Sequence, residues 1–228
     1  MDELIPVFYE ADTAPSKEAL RPGAIFEAPI LYVDSKVNLL KVQYVDPKHQ
    51  KPPMLQLGEL DNESFSHPPV LELGLRNNEE LAALKCKRRP VVIFSRSVER
   101  WRLPSKERQI DTCFCLPLYG LEDYDREFVV SLRAFKYESA FYLPAGTSFG
   151  IAESFIRFDR SQIVHCHHLR RWRPPLRLHE DALLVLQEWF RYYTTGVAED
   201  WILQYQMAEI EKLQRMISGP ETGIVGQE

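Results

Sequence analysis

Apolar and polar positions divide this chain into a strand-rich front and a helical end. "GAIFEAPILYVD" and "VNLLKVQYVD" carry strand-like apolar patterning bounded by Pro and Asp, and predict two strands. "RPVVIFS" is a continuous apolar run, which suits a strand in the middle of a sheet. "TCFCLPLYG", "EFVVSLRAFKY" and "SAFYLPA" predict further strands, and a turn at "GTSFG" leads into "SFIRFDRSQIVHC" as a hairpin-like partner. The pattern then changes to a helical period in "LHEDALLVLQEWFRYYTTG" and "VAEDWILQYQMAEIEKLQRMIS".

The intervening segments read differently. "PKHQKPPMLQLGELDNESFSHPP" is rich in Pro and polar residues and predicts a long surface excursion. "NNEELAALKCK" predicts a short helical turn capped by Asn77 or Asn78, and "RSVERWRLPSKERQ" a basic loop containing Trp101. Strands followed by helices, without βαβ alternation, predict an α+β fold built on a small, strongly bent antiparallel barrel. The expected organisation is an acidic N-terminal arm over 1–20 and a barrel domain over 21–196 with excursions near 45–80 and 121–135. An additional helix over 197–217 and a disordered tail over 218–228 complete it.

With 45% hydrophobic and 11% aromatic residues, the 228-residue chain has the material for a packed core. No apolar run reaches the roughly 18 residues of a bilayer span, and "MDELIPVFYEAD" is acidic where a secretory leader is basic. The expectation is a cytoplasmic protein with no membrane partner and with reduced cysteines. No GxGxxG or GxxxxGK[ST] follows a predicted strand, so no nucleotide cofactor is expected.

Charge changes the picture locally. The net charge is -5, yet Lys85 to Arg89 holds four cations, and Lys85 to Arg108 holds nine Lys or Arg against two Glu. Arg170 to Arg177 adds four Arg and no acid. Binding of a polyanion follows the local field, so these islands count for more than the total. Arg88 and Arg89 directly precede Pro90, which fixes the backbone at the strand mouth, where a guanidinium fork suits phosphate. A solvated cationic turn is the competing reading of the same residues.

In "FIRFDRS", Arg157 and Asp159 stand two apart on a predicted strand and project from one face. A carboxylate beside a guanidinium can take a proton from a hydroxyl while the cation supports charge growing on phosphate. An ion pair on a wet sheet face is the bland alternative. "HCHHL" lacks a carboxylate or second cysteine at a familiar ligand spacing, so no metal is expected there. Cys113 and Cys115 read as small core residues on one strand face, and Tyr119 as a rim residue able to donate a hydrogen bond. Leu183, Leu186, Trp189, Phe190 and Tyr193 in the first terminal helix recur at helical spacing and read as core. Trp201 and Ile202 in the second predict docking on the barrel, a sister subunit or a partner.

Together, "RPGAIFEA", "RRPVVIFSRS", "CFCLPLYG", "AFYLPAGTSFGIAESFIRFDRSQI" and "LHEDALLVLQEW" resemble, in order and spacing, the MazF/PemK (Kid) family of toxin endoribonucleases of toxin–antitoxin systems. The resemblance covers roughly residues 21–193. It implies an SH3-like (CcdB/PemK-type) barrel with insertions and C-terminal helices, acting as a homodimer paired with an antitoxin. It also implies metal-independent cleavage of single-stranded RNA, in which the 2′-hydroxyl attacks the adjacent phosphate. By the same resemblance Asp159 is the base, Arg157 the acid, and Arg89 the ligand of the charged phosphate. The basic segment would grip RNA through Arg88, Arg96, Arg100, Trp101, Arg102 and Lys106, beside Tyr119.

Two departures stand out. Tyr119 and Gly120 occupy the place of the family's Thr or Ser, and "AALKCK" stands where PemK-type proteins carry a histidine. They open the alternative of a catalytically inactive barrel that binds RNA or serves assembly. A toxin acting on a protein target is a third expectation. The acidic arm is a candidate mask over the basic groove.

Overall fold

In the computed structural model, which describes residues 4–15, 18–32, 38–44, 54–61, 64, 70, 73–76, 79–103 and 106–218, strands dominate the first two thirds of the chain. They are β1 (Tyr9–Ala11), β2 (Ile25–Tyr32), β3 (Asn38–Tyr44), β4 (Met54–Glu59), β5 (Ala82–Ala83), β6 (Lys85–Leu103) and β7 (Lys106–Gly120). Helix α1 (Arg126–Arg133) precedes β8 (Ala140–Leu143), β9 (Ser154–Arg157), β10 (Gln162–His165), β11 (Arg170–Arg171) and β12 (Leu176–Leu178). Helices α2 (Glu180–Thr195) and α3 (Asp200–Ser218) close the described chain. None of the described helices is long and apolar enough to cross a membrane.

The fold is mixed α+β, with antiparallel pairing between β6 and β7, β7 and β9, β8 and β9, β7 and β10, and β2 and β11. These strands form one seven-stranded sheet in the order β11-β2-β6-β7-β9-β8, with β10 joined to β7. Its path has two ends, β11 and β8, and no pairing among the described residues joins them. The chain divides into two compact units, Ile30–Lys87 and the remainder. The smaller unit holds the three-stranded sheet β4-β3-β5.

The principal core lies wholly in the larger unit. Val92, Leu116, Phe141, Ile156, Leu186 and Trp189 are completely buried in it. Trp189 donates its indole N–H to the Ala140 carbonyl at 3.0 Å, which satisfies the only polar atom of that ring. Cys113 and Cys115 are both buried, two apart on β7, as core residues of one strand face. Helix α2 ends at Gly196, whose left-handed φ of 69° an L side chain rarely adopts. Beyond it α3 docks on the same chain: Ile202 is fully buried and Gln206 donates to the Phe135 carbonyl at 2.7 Å.

Several expected elements take another form. "EFVVSLRAFKY" is not a strand: residues 126–133 are helix, because Asp125 accepts from the Phe128 amide at 2.7 Å and caps the first turn. The expected basic loop after Ile93 is the outer part of a long β6–β7 ribbon, paired as far as Leu103 with Lys106. Its alternation is polar on both sides, so no apolar face announces it as a strand. The expected excursion over 45–80 contains β4, which pairs with β3. The expected helical turn before Lys85 is strand at Ala82–Ala83, paired with β3; Asn77 and Asn78 lie outside the described residues, as does the chain beyond Ser218.

The N-terminal arm is an integral part of the fold. Ile5 and Phe8 enter the core, β1 pairs with β12, and the buried carboxylate of Asp12 accepts from Arg21 at 2.8 Å. Tyr9 donates its hydroxyl to the Pro144 carbonyl at 2.9 Å, and burial pushes that phenol's pKa well up. The arm is therefore pinned to β12 and the segment after β8, and its acids pair with the second basic island, Glu10 with Arg177 and Asp12 with Arg171.

Candidate nucleic-acid interface

Sheet register explains why distant residues meet at the end of β7. Tyr119 lies opposite Phe155 of β9. Phe155 and Arg157 stand two apart on β9 and so share a face with Tyr119. Arg89, near the start of β6, lays its guanidinium carbon 4.4 Å from the centre of the Tyr119 ring. The electron-rich ring face attracts that cation and fixes its height above the sheet.

Strand β9 ends at Arg157, and Asp159 lies in a short 3-10 turn, Phe158–Arg160. The two side chains meet across this corner and not along a continuous strand, as the sequence pattern implied. Arg157 Nε donates to Asp159 at 3.1 Å and its terminal nitrogen at 2.7 Å, a two-pronged clamp with both side chains partly exposed. Arg160 approaches the same carboxylate at 3.5 Å. The hydrogen bonds to Asp159 raise the Arg157 pKa above its ordinary value, and the phenols of Tyr119 and Tyr124 act in the same direction.

Beside this clamp opens a cavity of about 290 Å³, lined by Tyr124, Phe128, Tyr137, Ser139, Ala140, Phe155 and Arg157. Its aromatic walls are mutually packed: Tyr124 stacks on Phe128 at 4.6 Å and meets Phe155 edge-on at 5.4 Å. Phe128 lies 5.2 Å from Tyr137 between ring centres. Behind it, buried Tyr142 donates to Glu153 at 2.5 Å and accepts from Arg133 at 2.6 Å, tying α1 to β8 and to the approach of β9. Flat apolar walls with one guanidinium at the rim suit an unpaired base carrying a phosphate.

Arg89, Tyr119, Arg157 and Asp159 thus come together. Arg88 does not join them: it follows the alternation of β6 to the other face and approaches Glu27 at 3.9 Å. Arg96 is committed to Asp111, through bonds of 2.9 and 2.7 Å. Arg100 is exposed on the outer ribbon, where its backbone faces Gln109. The side chains of Trp101, Arg102 and Lys106 lie outside the described residues. The aromatic lining was missed in the sequence because it depends on Phe128 lying in the first turn of a helix capped by Asp125, with Tyr124 in the turn before it.

His165 closes β10 and His167 and His168 lie in the following turn, with ring centres 3.9 to 6.4 Å apart. Among the described residues no group of three or more His, Cys, Asp or Glu side chains is arranged to hold a metal ion. Comparison with protein-family models, curated proteins and solved structures finds no match to this chain.

Proposed function

We propose that this protein is an endoribonuclease that cleaves single-stranded RNA by 2′-hydroxyl attack, on a strongly bent sheet of the SH3-like, PemK-type kind. The observation that carries the reading is the Arg157–Asp159 clamp at the wall of an aromatic cavity, with the Arg89–Tyr119 pair on the neighbouring strands of the same sheet. A base enters the cavity, which sets its 3′-phosphate beside Arg157 and Arg89. Asp159 accepts the 2′-hydroxyl proton, the 2′-oxygen bonds to phosphorus, and the bond to the 5′-oxygen breaks. The products are a cyclic phosphate and a 5′-hydroxyl, with water supplying the leaving oxygen's proton. Proton donation by Arg157 gives way here to charge stabilisation, because its clamp with Asp159 holds the guanidinium proton more tightly. In this reading the protein is a toxin held by an antitoxin, and it works as a homodimer.

A second reading, RNA binding without cleavage, is favoured by one feature: Arg157 engages both oxygens of Asp159, leaving less of the carboxylate for a hydroxyl. One experiment separates the two. Purified protein is incubated with mixed-sequence RNA and a metal chelator, and compared with Asp159→Asn. Cleavage that drops about 10²–10⁴-fold in the variant, at unchanged affinity, supports the nuclease. Equal rates in both proteins overturn the role of Asp159, and binding without products in either establishes the second reading.

A further inference from the structure

We propose that Arg88, Arg170 and Arg173 form a second phosphate-binding site, which takes the backbone of the same RNA outside the segment held at Arg157. This deepens the reading above and rests on it for the source of the phosphate, though not for the existence of the site.

The site lies at the far end of the sheet from the aromatic cavity. Arg170 of edge strand β11 lies directly opposite Glu27 of β2, and Arg88 of β6 reaches the same carboxylate from the other side. Both guanidinium groups stop 3.9 Å from it. Charge-assisted hydrogen bonds close to about 2.7–2.9 Å, so neither arginine has spent its fork on Glu27. The carboxylate spaces the two cations without neutralising them.

A cavity of about 170 Å³ opens here, lined by Glu27, Arg170, Arg171, Trp172 and Arg173. Arg171 holds the N-terminal arm through the carbonyls of Asp12 and Ala14, both at 2.9 Å, and anchors the wall. Trp172 is fixed by its indole N–H to the Phe149 carbonyl at 2.9 Å. Arg170 and Arg173 thus line the cavity with Glu27, and Arg88 approaches the same carboxylate from β6, three cations around one acid. A phosphodiester accepts two-pronged bonds from such forks and lowers the repulsion between them.

Arg88 and Arg89 are consecutive on β6 and project to opposite faces. The two sites lie toward opposite ends of the pairing order β11-β2-β6-β7-β9-β8, and a short oligonucleotide is expected to fill the first site alone.

The test compares wild type, Arg170→Gln/Arg173→Gln and Arg157→Gln. Inorganic pyrophosphate binding is followed by calorimetry, and fluorescence anisotropy follows RNA of about four and about twenty nucleotides across salt concentrations. The expected result is loss of pyrophosphate binding in the double variant and its retention in Arg157→Gln. The long RNA then binds the double variant roughly tenfold more weakly, with a salt slope smaller by about 1.4, while the short RNA is unaffected. Pyrophosphate heats that are absent from wild type, or unchanged in the double variant, overturn the site. An unchanged slope for long RNA overturns RNA as its occupant. If wild type binds pyrophosphate through this pair but no RNA of either length, the phosphate site stands and the RNA reading falls.

Discussion

Tyr119, opposite Phe155 in the sheet, acts through its ring. It holds the Arg89 guanidinium at 4.4 Å, on the strand next to β9, which carries Arg157 of the clamp. The ring face, not the hydroxyl, supplies that attraction, worth about 0.5–1 kcal/mol at a partly exposed position. Tyr119→Phe should therefore keep RNA affinity, while Tyr119→Leu should weaken it about two- to fivefold by anisotropy; equal losses in both would assign the effect to the hydroxyl. A second pair reports on pH. The hydrogen bonds from Arg96 hold the Asp111 carboxyl below the usual carboxylate range, helped by the Cys166 thiol donating at 2.9 Å. A depressed folded-state value means stabilisation that is complete above the unfolded value of about 3.9 and disappears as pH falls through the folded one. Wild type should exceed Asp111→Asn by up to about 1 kcal/mol in urea unfolding at pH 7, with the gap closing as pH falls below the unfolded value. A gap independent of pH would remove the ion pair as its cause.

Helix α1 is the element on which the cavity depends, and it is also where the sequence misleads most. "EFVVSLRAFKY" has adjacent β-branched valines, which favour strands, yet Asp125 supplies a cap and Leu132 buries against the core. Once α1 is a helix capped by Asp125, Phe128 in its first turn stacks on Tyr124 just before the cap and forms a wall; read as a strand, they have no reason to meet. The ribbon beyond Ile93 was hidden for a related reason, since its pairing carries a polar sequence with no apolar face to announce it. The clamp was legible because a two-residue spacing brings Arg157 and Asp159 to one side even though the strand ends between them. Partners distant in sequence, Arg89 with Tyr119 above all, follow from register, which composition does not encode. Removing the cap tests the element. Asp125→Ala should cost about 1 kcal/mol in chemical unfolding and lower RNA affinity through the loosened wall. Affinity untouched by that loss of stability would detach the cavity from RNA binding.

At the scale of the molecule, the two compact units differ in what they contribute. Every member of the principal core, from Ile5 to Ile202, belongs to the unit that carries the cavity and the clamp, and none lies between Ile30 and Lys87. The N-terminal arm belongs to that core through Ile5 and Phe8, so trimming 1–20 removes packing from it. The smaller unit leaves from β2 and returns into β6, and those strands are neighbours in the large sheet. Hydrogen bonds at Ile93, to Gly23 and Ala24, hold them together within the larger unit. Replacing residues 33–84 with a turn of about four Gly, Ser and Asn residues should therefore close a hairpin of ordinary length. The shortened chain is expected to melt cooperatively, keep the near-ultraviolet signature of buried Trp189, and bind single-stranded RNA as wild type does. A chain that keeps its helical signal but loses cooperative melting would mean that the large sheet needs the smaller unit to hold β2 against β6. A chain that folds but no longer binds RNA would move part of the binding surface into Ile30–Lys87, away from Arg89 and Arg157.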